Sequence, residues 1–139
     1  MDVLRDGIKH LSDLYPKMQQ ISGEMVKEII EIDGGYQVLT NKDQYSSKEV
    51  VIAVGYISPF RISGLEEYLI LHSKAKISKN RIQLKNKDHL VKPGLYVAGT
   101  LAGWRSQYAI ASGSGAAVAT DILTAWNNGE HTKVHDKLV

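Results

Sequence analysis

The side chains best suited to binding chemistry lie close together, where a strand predicted over residues 95–98 leads through a loop into a helix predicted over 106–126. Such a turn presents unpaired N–H groups and the positive end of the helix dipole beyond the carboxyl end of the strand. Several groups could reach a ligand there. They are the backbone of Gly99 and Gly103, the hydroxyls of Thr100 and Ser106, and the side-chain amide of Gln107. We therefore expect a site for an anionic or electron-rich ligand.

The predicted helix also contains two glycines, Gly113 and Gly115, each of which costs about 1 kcal/mol relative to alanine inside a helix. Small neighbours, including Ala111, Ser112 and Ser114, would let the helix pack closely against a sheet or a ligand. The same composition is found where a helix packs on a sheet without any ligand, so both interpretations stay open. The segment "GSGAAVA" half matches a dinucleotide fingerprint, but it lies inside a helix and follows no strand, so it is not that motif.

The elements that position this stretch follow from hydrophobic periodicity. Apolar residues at helical spacing predict one amphipathic helix at the start of the chain, stopped by Pro16. A three-stranded β-meander is predicted over residues 25–32, 36–39 and around Tyr45, and a buried strand is predicted to follow it over residues 50–54. Residues 75–86 alternate like a hairpin that turns at Lys79 and Asn80, and "NNG" at 127–129 predicts a helix C-cap.

Composition narrows the class of protein. With 139 residues, 43% hydrophobic and 23% charged, the chain fits one globular domain, which we predict over residues 1–129 with a polar tail over 130–139. The net charge is only +2 and the basic residues are spread along the chain, so neither nucleic acid nor membrane is the expected partner. No apolar run approaches the roughly 20 residues of a membrane span, and we expect a cytoplasmic protein.

Other candidate residues give weaker signals. His131 and His135 have the spacing of a helical zinc pair, but the polar tail offers no strong third ligand, so we interpret them as exposed and predict no metal site. Trp104 is a candidate for stacking on a ligand or partner, and Trp126 for packing at the helix end. The basic segment 72–88 is interpreted mainly as a solvated face, with contact to a partner or a nucleotide phosphate as the alternative.

The segments "LVKPGLYVAGTLAG" and "SQYAIASGSGAAVATDIL", within residues 90–123, resemble the carboxyl-terminal flavin-binding signature of the thioredoxin-reductase-like pyridine nucleotide-disulfide oxidoreductases. A weaker similarity extends upstream, where "KEVVIAVGYISP" resembles the family's "ALIIATGA-x-P" strand and the predicted meander occupies the matching place. The resemblance implies an α/β fold, namely part of an FAD/NAD(P)-binding, Rossmann-like domain with a three-stranded β-meander, and FAD as the cofactor.

The resemblance also implies which residues face the flavin. Gly99 matches the glycine at the strand end, Gln107 the glutamine at the helix start, and Gly113 and Gly115 the helix glycines. Thr100 stands where the family has an aspartate that hydrogen-bonds the ribityl and pyrophosphate region. The implied wall on the isoalloxazine side is formed by Gly99, Thr100, Ser106, Gln107, Tyr108 and Ala109, and no catalytic residue is implied.

Several family features are absent from this sequence. It has no G-x-G-x-x-G unit and so lacks the amino-terminal βαβ unit, and it has neither a nicotinamide-binding domain between Val54 and Leu95 nor any cysteine. Ser106 replaces an arginine, and Val54 replaces a threonine. The chain could be one part of a split flavoprotein, a degenerate relative, or a truncation in which Met1 is an internal methionine.

These departures leave two functional hypotheses and keep open whether the chain is an enzyme. The first is an FAD-associated oxidoreductase subunit or fragment that binds FAD weakly or together with a partner. The second is a non-catalytic interaction module that keeps the fold without the flavin. Because a parallel sheet that lacks its first strands has an open edge, we expect a homo-oligomer or a partner chain that supplies the missing dinucleotide-binding unit.

Overall fold

Short polar turns divide the first β-rich part of the chain into a meander. In the computed structural model, which describes residues 2–57 and 59–132, an amino-terminal helix α1 (Asp2–Leu14) precedes this meander. The three antiparallel strands are β1 (Val26–Ile32), β2 (Gly35–Thr40) and β3 (Gln44–Ser47). Gly34 has a φ of +77° in the Asp33-Gly34 turn, the kind of two-residue connection that favours a tight hairpin. The predicted meander is confirmed.

A second small sheet positions the stretch in which we predicted a site. The strands β4 (Val50–Ile52) and β8 (Leu95–Val97) pair in parallel, with Val51 opposite Tyr96. On its other side, β8 pairs antiparallel with β7 (Leu90–Lys92), so β8 is the central strand and β4 lies at an edge. Every residue of β8 is buried, as expected for a continuous apolar run between two neighbouring strands.

The segment between these strands forms a hairpin different from the predicted one. Strand β5 (Leu69–Leu71) pairs antiparallel with β6 (Ile82–Leu84). The first half of the expected hairpin is instead a 3-10 helix, Ile77–Lys79, that ends at Asn80 with a φ of +47°. The prediction of a hairpin within residues 75–86 was therefore wrong, because an earlier apolar run provides the partner strand.

The predicted strand, turn and helix at the end of the described chain are confirmed. Strand β8 leads into a 3-10 helix, Gly99–Ala102, and then into the long helix α2 (Tyr108–Trp126). The helix ends as the "NNG" sequence predicted: Asn128 has a φ of +56°, and Gly129 donates its N–H to the carbonyl of Thr124.

The hydrophobic core lies between the meander, the two parallel strands and the 3-10 helix of the turn. Its most deeply buried large residues include Leu65, Leu84, Leu95, Val97 and Leu101. Helix α2 packs on the other face of β8, where Val118 contacts Tyr96 and Ala98. The architecture is thus mixed α/β, as expected, and no helix within the described residues is long and apolar enough to cross a membrane.

Candidate functional site

A cleft of about 430 Å³ opens beyond the carboxyl ends of β4 and β8. Open α/β sheets commonly bind ligands in this position, where the strand ends and the following helix leave backbone groups accessible. The cleft is lined by residues that follow β4 (Ala53, Gly55, Tyr56), by those that follow β8 (Ala98, Gly99, Thr100), and by Ser106, Ala111 and Gly115. Most of these are glycine or alanine, so backbone forms much of the wall.

Thr100 lines this cleft, and its hydroxyl has no hydrogen-bond partner among the described residues. The residue is only 6% exposed, and its Oγ1 is fully buried. A Cβ added at Gly55, on the opposite wall, would lie 3.9 Å from this oxygen. Since a buried hydroxyl without a partner costs roughly 1–3 kcal/mol, this oxygen is a candidate to hydrogen-bond a ligand.

The backbone of Thr100 is held in place by His72. The carbonyl oxygen of Thr100 lies 3.0 Å from Nε2 of this buried histidine, whose Nδ1 accepts the N–H of Lys74 at 3.1 Å. Because Nδ1 is an acceptor, Nε2 carries the proton and donates it to Thr100. The hairpin that carries His72 therefore supports the turn that lines the cleft.

Gly99 is held by a second histidine through Ser114. The N–H of Gly99 donates to Oγ of Ser114 at 2.8 Å, and the same oxygen lies 2.8 Å from Nε2 of His89. Ser114 is 0% exposed and His89 is buried, so neither side chain can reach a substrate. These two side chains position the glycine turn; they are not reactive groups of the cleft.

The six predicted site residues are only partly brought together. Gly99, Thr100 and Ser106 line the cleft, whereas Gln107, Tyr108 and Ala109 are exposed and do not. Gln107 is instead the N-cap residue of α2, without a side-chain cap, and its carbonyl accepts the N–H groups of Ile110 and Ala111. The uncapped start of α2 still leaves the positive end of the helix dipole beside the cleft.

The two helix glycines have different surroundings. Gly113 is exposed, while Gly115 borders the cleft one turn after Ala111. Apart from the neighbouring backbone of its own helix, a Cβ added at either glycine would meet no atom within 4 Å among the described residues. No close packing within the described chain therefore explains them, and only Gly115 lies where a ligand could approach.

The weaker candidates from the sequence have structural surroundings of their own. Trp104 stacks on His89, with ring centroids 5.2 Å apart, and Trp126 donates from Nε1 to Glu49 at 3.3 Å while staying largely exposed. His131 is exposed, and His135 lies outside the described residues. In the part of the chain that the structure describes, no group of three metal-ligating side chains comes together.

The tyrosine of the central strand remains neutral near physiological pH. Tyr96 lies on β8, two residues before Ala98 in the wall of the cleft, and burial raises the pKa of its phenol above the ordinary value of 10.0. The nearby carboxylates of Glu49 and Asp121 raise this pKa further.

Sequence reasoning did not assign roles to the side chains that support the cleft. His72, His89 and Ser114 act through contacts between residues 15 to 28 positions apart, and no local motif marks such contacts. Comparison with known proteins adds no assignment: no protein-family model and no curated protein matches the chain. The flavoprotein resemblance therefore rests on the residues quoted for it.

Proposed function

We propose that this chain supplies the isoalloxazine-side half of a flavin site, as an FAD-associated oxidoreductase subunit or fragment related to the thioredoxin-reductase-like enzymes. The observation that carries the proposal is the buried hydroxyl of Thr100, which has no partner among the described residues, at a cleft beyond two parallel strands. The resemblance of residues 90–123 to a flavin-binding signature selects flavin among the ligands that such a cleft could hold.

The residues of the cleft fit one planar ring system. Its volume of about 430 Å³ lies in the lower part of the roughly 300–1,000 Å³ range of small-molecule sites, which suits one half of a dinucleotide. Gly99 has a φ of +73° and open space where a Cβ would be, so a ring can approach its backbone. Thr100 Oγ1 would hydrogen-bond a polar edge of the ring, and Tyr56 offers an aromatic wall.

When bound, the flavin would supply the redox chemistry, and the protein would bind and orient it. The uncapped start of α2 would favour negative charge on the nearest part of the ring. Ser114 and His89 would keep the Gly99 turn in place, because the buried Ser114 accepts the N–H of Gly99 and His89 in turn bonds Ser114.

FAD binding by this chain alone is expected to be weak. Thr100 replaces a charged acceptor of a kind that contributes roughly 1.5–3 kcal/mol, which corresponds to about a tenfold to hundredfold change in affinity. The glycine-rich unit that binds the ADP half in the family is also missing from the sequence. A complete Rossmann-like FAD domain would therefore need this glycine-rich unit from a second polypeptide.

The edge strand β4 supports this requirement for a partner. Its neighbour on one side is β8, and its other edge is unpaired within the described residues. Val51 on this strand is 43% exposed, although parallel strands are ordinarily covered on both faces. We expect light scattering to detect an oligomer or a complex with the chain that carries the dinucleotide-binding unit, and a monodisperse monomer at all concentrations would contradict this expectation.

The decisive experiment is a flavin titration that compares two threonine variants. Thr100→Val removes the unpartnered hydroxyl from the cleft, and Thr120→Val removes a hydroxyl that bonds only to its own helix, at the carbonyl of Ala116. Followed by flavin fluorescence, Thr100→Val is expected to weaken binding about two- to tenfold, as the loss of one hydrogen bond predicts. Thr120→Val should leave the affinity unchanged.

The same titration tests the alternative function. If no flavin binds to the chain alone or with a partner, the redox proposal is wrong, and the non-catalytic interaction module is the better interpretation. That alternative is supported by the threonine at position 100, since the family's aspartate is absent. Equal binding by both threonine variants and the unmodified chain would place the flavin somewhere other than this cleft.

A further inference from the structure

A second, smaller concavity adjoins the proposed flavin cleft. Its volume is about 240 Å³, and it shares two lining residues, Tyr56 and Ser106, with the cleft. The rest of its wall comes mainly from basic side chains of the segment between β5 and β6, namely Lys74, Lys76, Lys79 and Arg81. We call this concavity the basic pocket.

The basic pocket concentrates positive charge, and no acidic side chain is among its lining residues. Residues 73–87 contain no aspartate or glutamate, and no carboxylate lines the pocket. The described part of the chain contains one ion pair, between Lys92 and Glu31, so the cations of Lys76, Lys79 and Arg81 are not neutralised there. Because like charges around one concavity repel one another, an anion bound between them would be stabilised.

Two of the basic side chains are held in position before any ligand binds. The guanidinium carbon of Arg81 lies 4.0 Å from the ring centroid of Tyr56, a cation–π contact that orients its donors at the boundary with the cleft. Lys74 donates from Nζ to the carbonyl of Gly103 at 2.9 Å, which ties the basic segment to the loop before α2. This preorganisation lowers the entropic cost of binding an anion.

The hairpin also explains why these residues meet. The 3-10 helix Ile77–Lys79 ends at Asn80, whose φ of +47° reverses the chain so that Lys79 and Arg81 line the same pocket.

Arginine binds phosphate through a planar fork and lysine as a point charge, and the two commonly act together on phosphate groups. Ser106 adds a hydroxyl on the side of the cleft.

We propose that the basic pocket binds the phosphate group of a ligand whose ring system lies in the neighbouring cleft. The phosphate site stands on the pocket itself, whereas its connection to a flavin ring rests on the proposed function. The expected ligand class is a phosphate monoester or diphosphate attached to a flat ring through a short linker, because Tyr56 and Ser106 border both spaces.

The first experiment tests the phosphate site without any flavin. Calorimetric titration with pyrophosphate at low salt is expected to saturate, and the variants Lys79→Gln and Arg81→Gln should each weaken binding about three- to tenfold. Lys85→Gln and Lys87→Gln are the matched controls, since they remove equal charge from the same basic segment outside the pocket. The controls should change the affinity less than twofold.

The outcomes of this titration separate a site from a general charge effect. Equal weakening by pocket and control variants, or binding that never saturates, would overturn the proposal. Lys79 is exposed, so Lys79→Gln tests the site even if Arg81→Gln disturbs the hairpin. Tighter binding of a single-stranded oligonucleotide than of pyrophosphate, lost equally in all four variants, would also contradict a phosphate pocket and indicate a polyanion surface.

The second experiment tests the connection between pocket and cleft. Flavin mononucleotide and riboflavin share one ring system and differ by a phosphate, so we expect the mononucleotide to bind about tenfold more tightly. Arg81→Gln should remove most of this difference, and Thr100→Val should weaken both ligands equally. If pyrophosphate binds but neither flavin does, the proposed function fails while the phosphate site stands. Equal affinities for the two flavins would refute the connection.

Discussion

The unit formed by β8, the glycine turn and α2 differs from the amino-terminal segment in the kind of group that lacks a contact, a polar atom in the first and apolar side chains in the second. In the first unit, the strand and the turn bury their apolar residues, including Leu95, Val97 and Leu101, and a polar oxygen of Thr100 has no partner among the described residues. The amino-terminal segment, α1 and the chain up to β1, does the opposite. It leaves a series of large apolar side chains exposed, namely Ile8, Leu11, Leu14, Tyr15, Met18, Ile21 and Met25.

This difference indicates two kinds of missing contact. A buried polar atom without a partner is satisfied by a small polar ligand, which fits the cleft beyond the parallel strands. Exposed apolar residues at helical spacing gain nothing from such a ligand, and they are stabilised only when another apolar surface covers them. Since an isolated helix as short as α1 is marginal in water, the amino-terminal segment contributes little to stability until it is covered.

The largest expected effect tests the comparison directly. Leu101→Ala removes a core side chain that is 0% exposed, and it should lower the free energy of unfolding by about 2–5 kcal/mol. Leu11→Ala, at a side chain that is 46% exposed, should change it by less than about 0.5 kcal/mol. Urea unfolding at low protein concentration measures both. A cost at Leu11 comparable to that at Leu101 would show that α1 is already covered in solution.

The second effect concerns the buried support of the turn. Ser114→Ala removes the acceptor of the Gly99 N–H and the partner of His89, leaving buried polar groups unsatisfied, so it should destabilise the protein by about 1–3 kcal/mol. Ser112→Ala is the matched control, because this exposed serine bonds to the carbonyls of its own helix, at Tyr108 and Ala109. Thermal unfolding should separate the two variants, and equal melting temperatures would contradict the supporting role of Ser114.

The contrast also shows how far the sequence could predict this molecule. Strand β8 is marked by an apolar run, the turn by glycine and the end of α2 by the "NNG" cap. Because these signals are local, all three elements are predicted close to their observed bounds. The β5–β6 hairpin was assigned the wrong partner, since alternation in residues 75–79 looks extended while the chain forms a 3-10 helix there. The supporting roles of His72 and His89 depend on distant partners, and a single histidine carries no local signal of such a role.

The third effect has the opposite sign from the first two. Thr100→Val replaces a buried hydroxyl that has no partner in the part of the chain that the structure describes by a methyl group of similar shape. It should therefore raise the free energy of unfolding by about 1 kcal/mol in the absence of ligand. Denaturant titration measures this gain, with Thr120→Val as the control. A loss of stability in Thr100→Val would mean that Oγ1 already has a partner in solution, and the cleft would then have no polar group awaiting a ligand.

The smallest effect tests whether the meander is joined to the unit formed by β8, the glycine turn and α2. Tyr36 on β2 is buried and donates its hydroxyl to the carbonyl of Pro93 at 2.6 Å, just before β8. Burial raises the pKa of this phenol above its ordinary value of 10.0, while nearby Lys92 lowers it in part. The stability that depends on the neutral phenol is therefore fully present below pH 10.0, and it is lost as pH rises through the native-state pKa.

Tyr36→Phe should remove this part of the alkaline destabilisation, although it costs about 1 kcal/mol at neutral pH because the carbonyl of Pro93 loses its donor. The difference between the two unfolding curves from pH 8 to pH 11 isolates Tyr36 from the other tyrosines, and it should narrow above pH 10.0 with a slope below about 1.4 kcal/mol per pH unit. Tyr15→Phe, at an exposed phenol, is the control. If the difference stays constant with pH, the Tyr36 phenol is not buried against Pro93 in solution. The meander and the unit formed by β8, the glycine turn and α2 would then be less tightly joined than the hydrogen bond to Pro93 indicates.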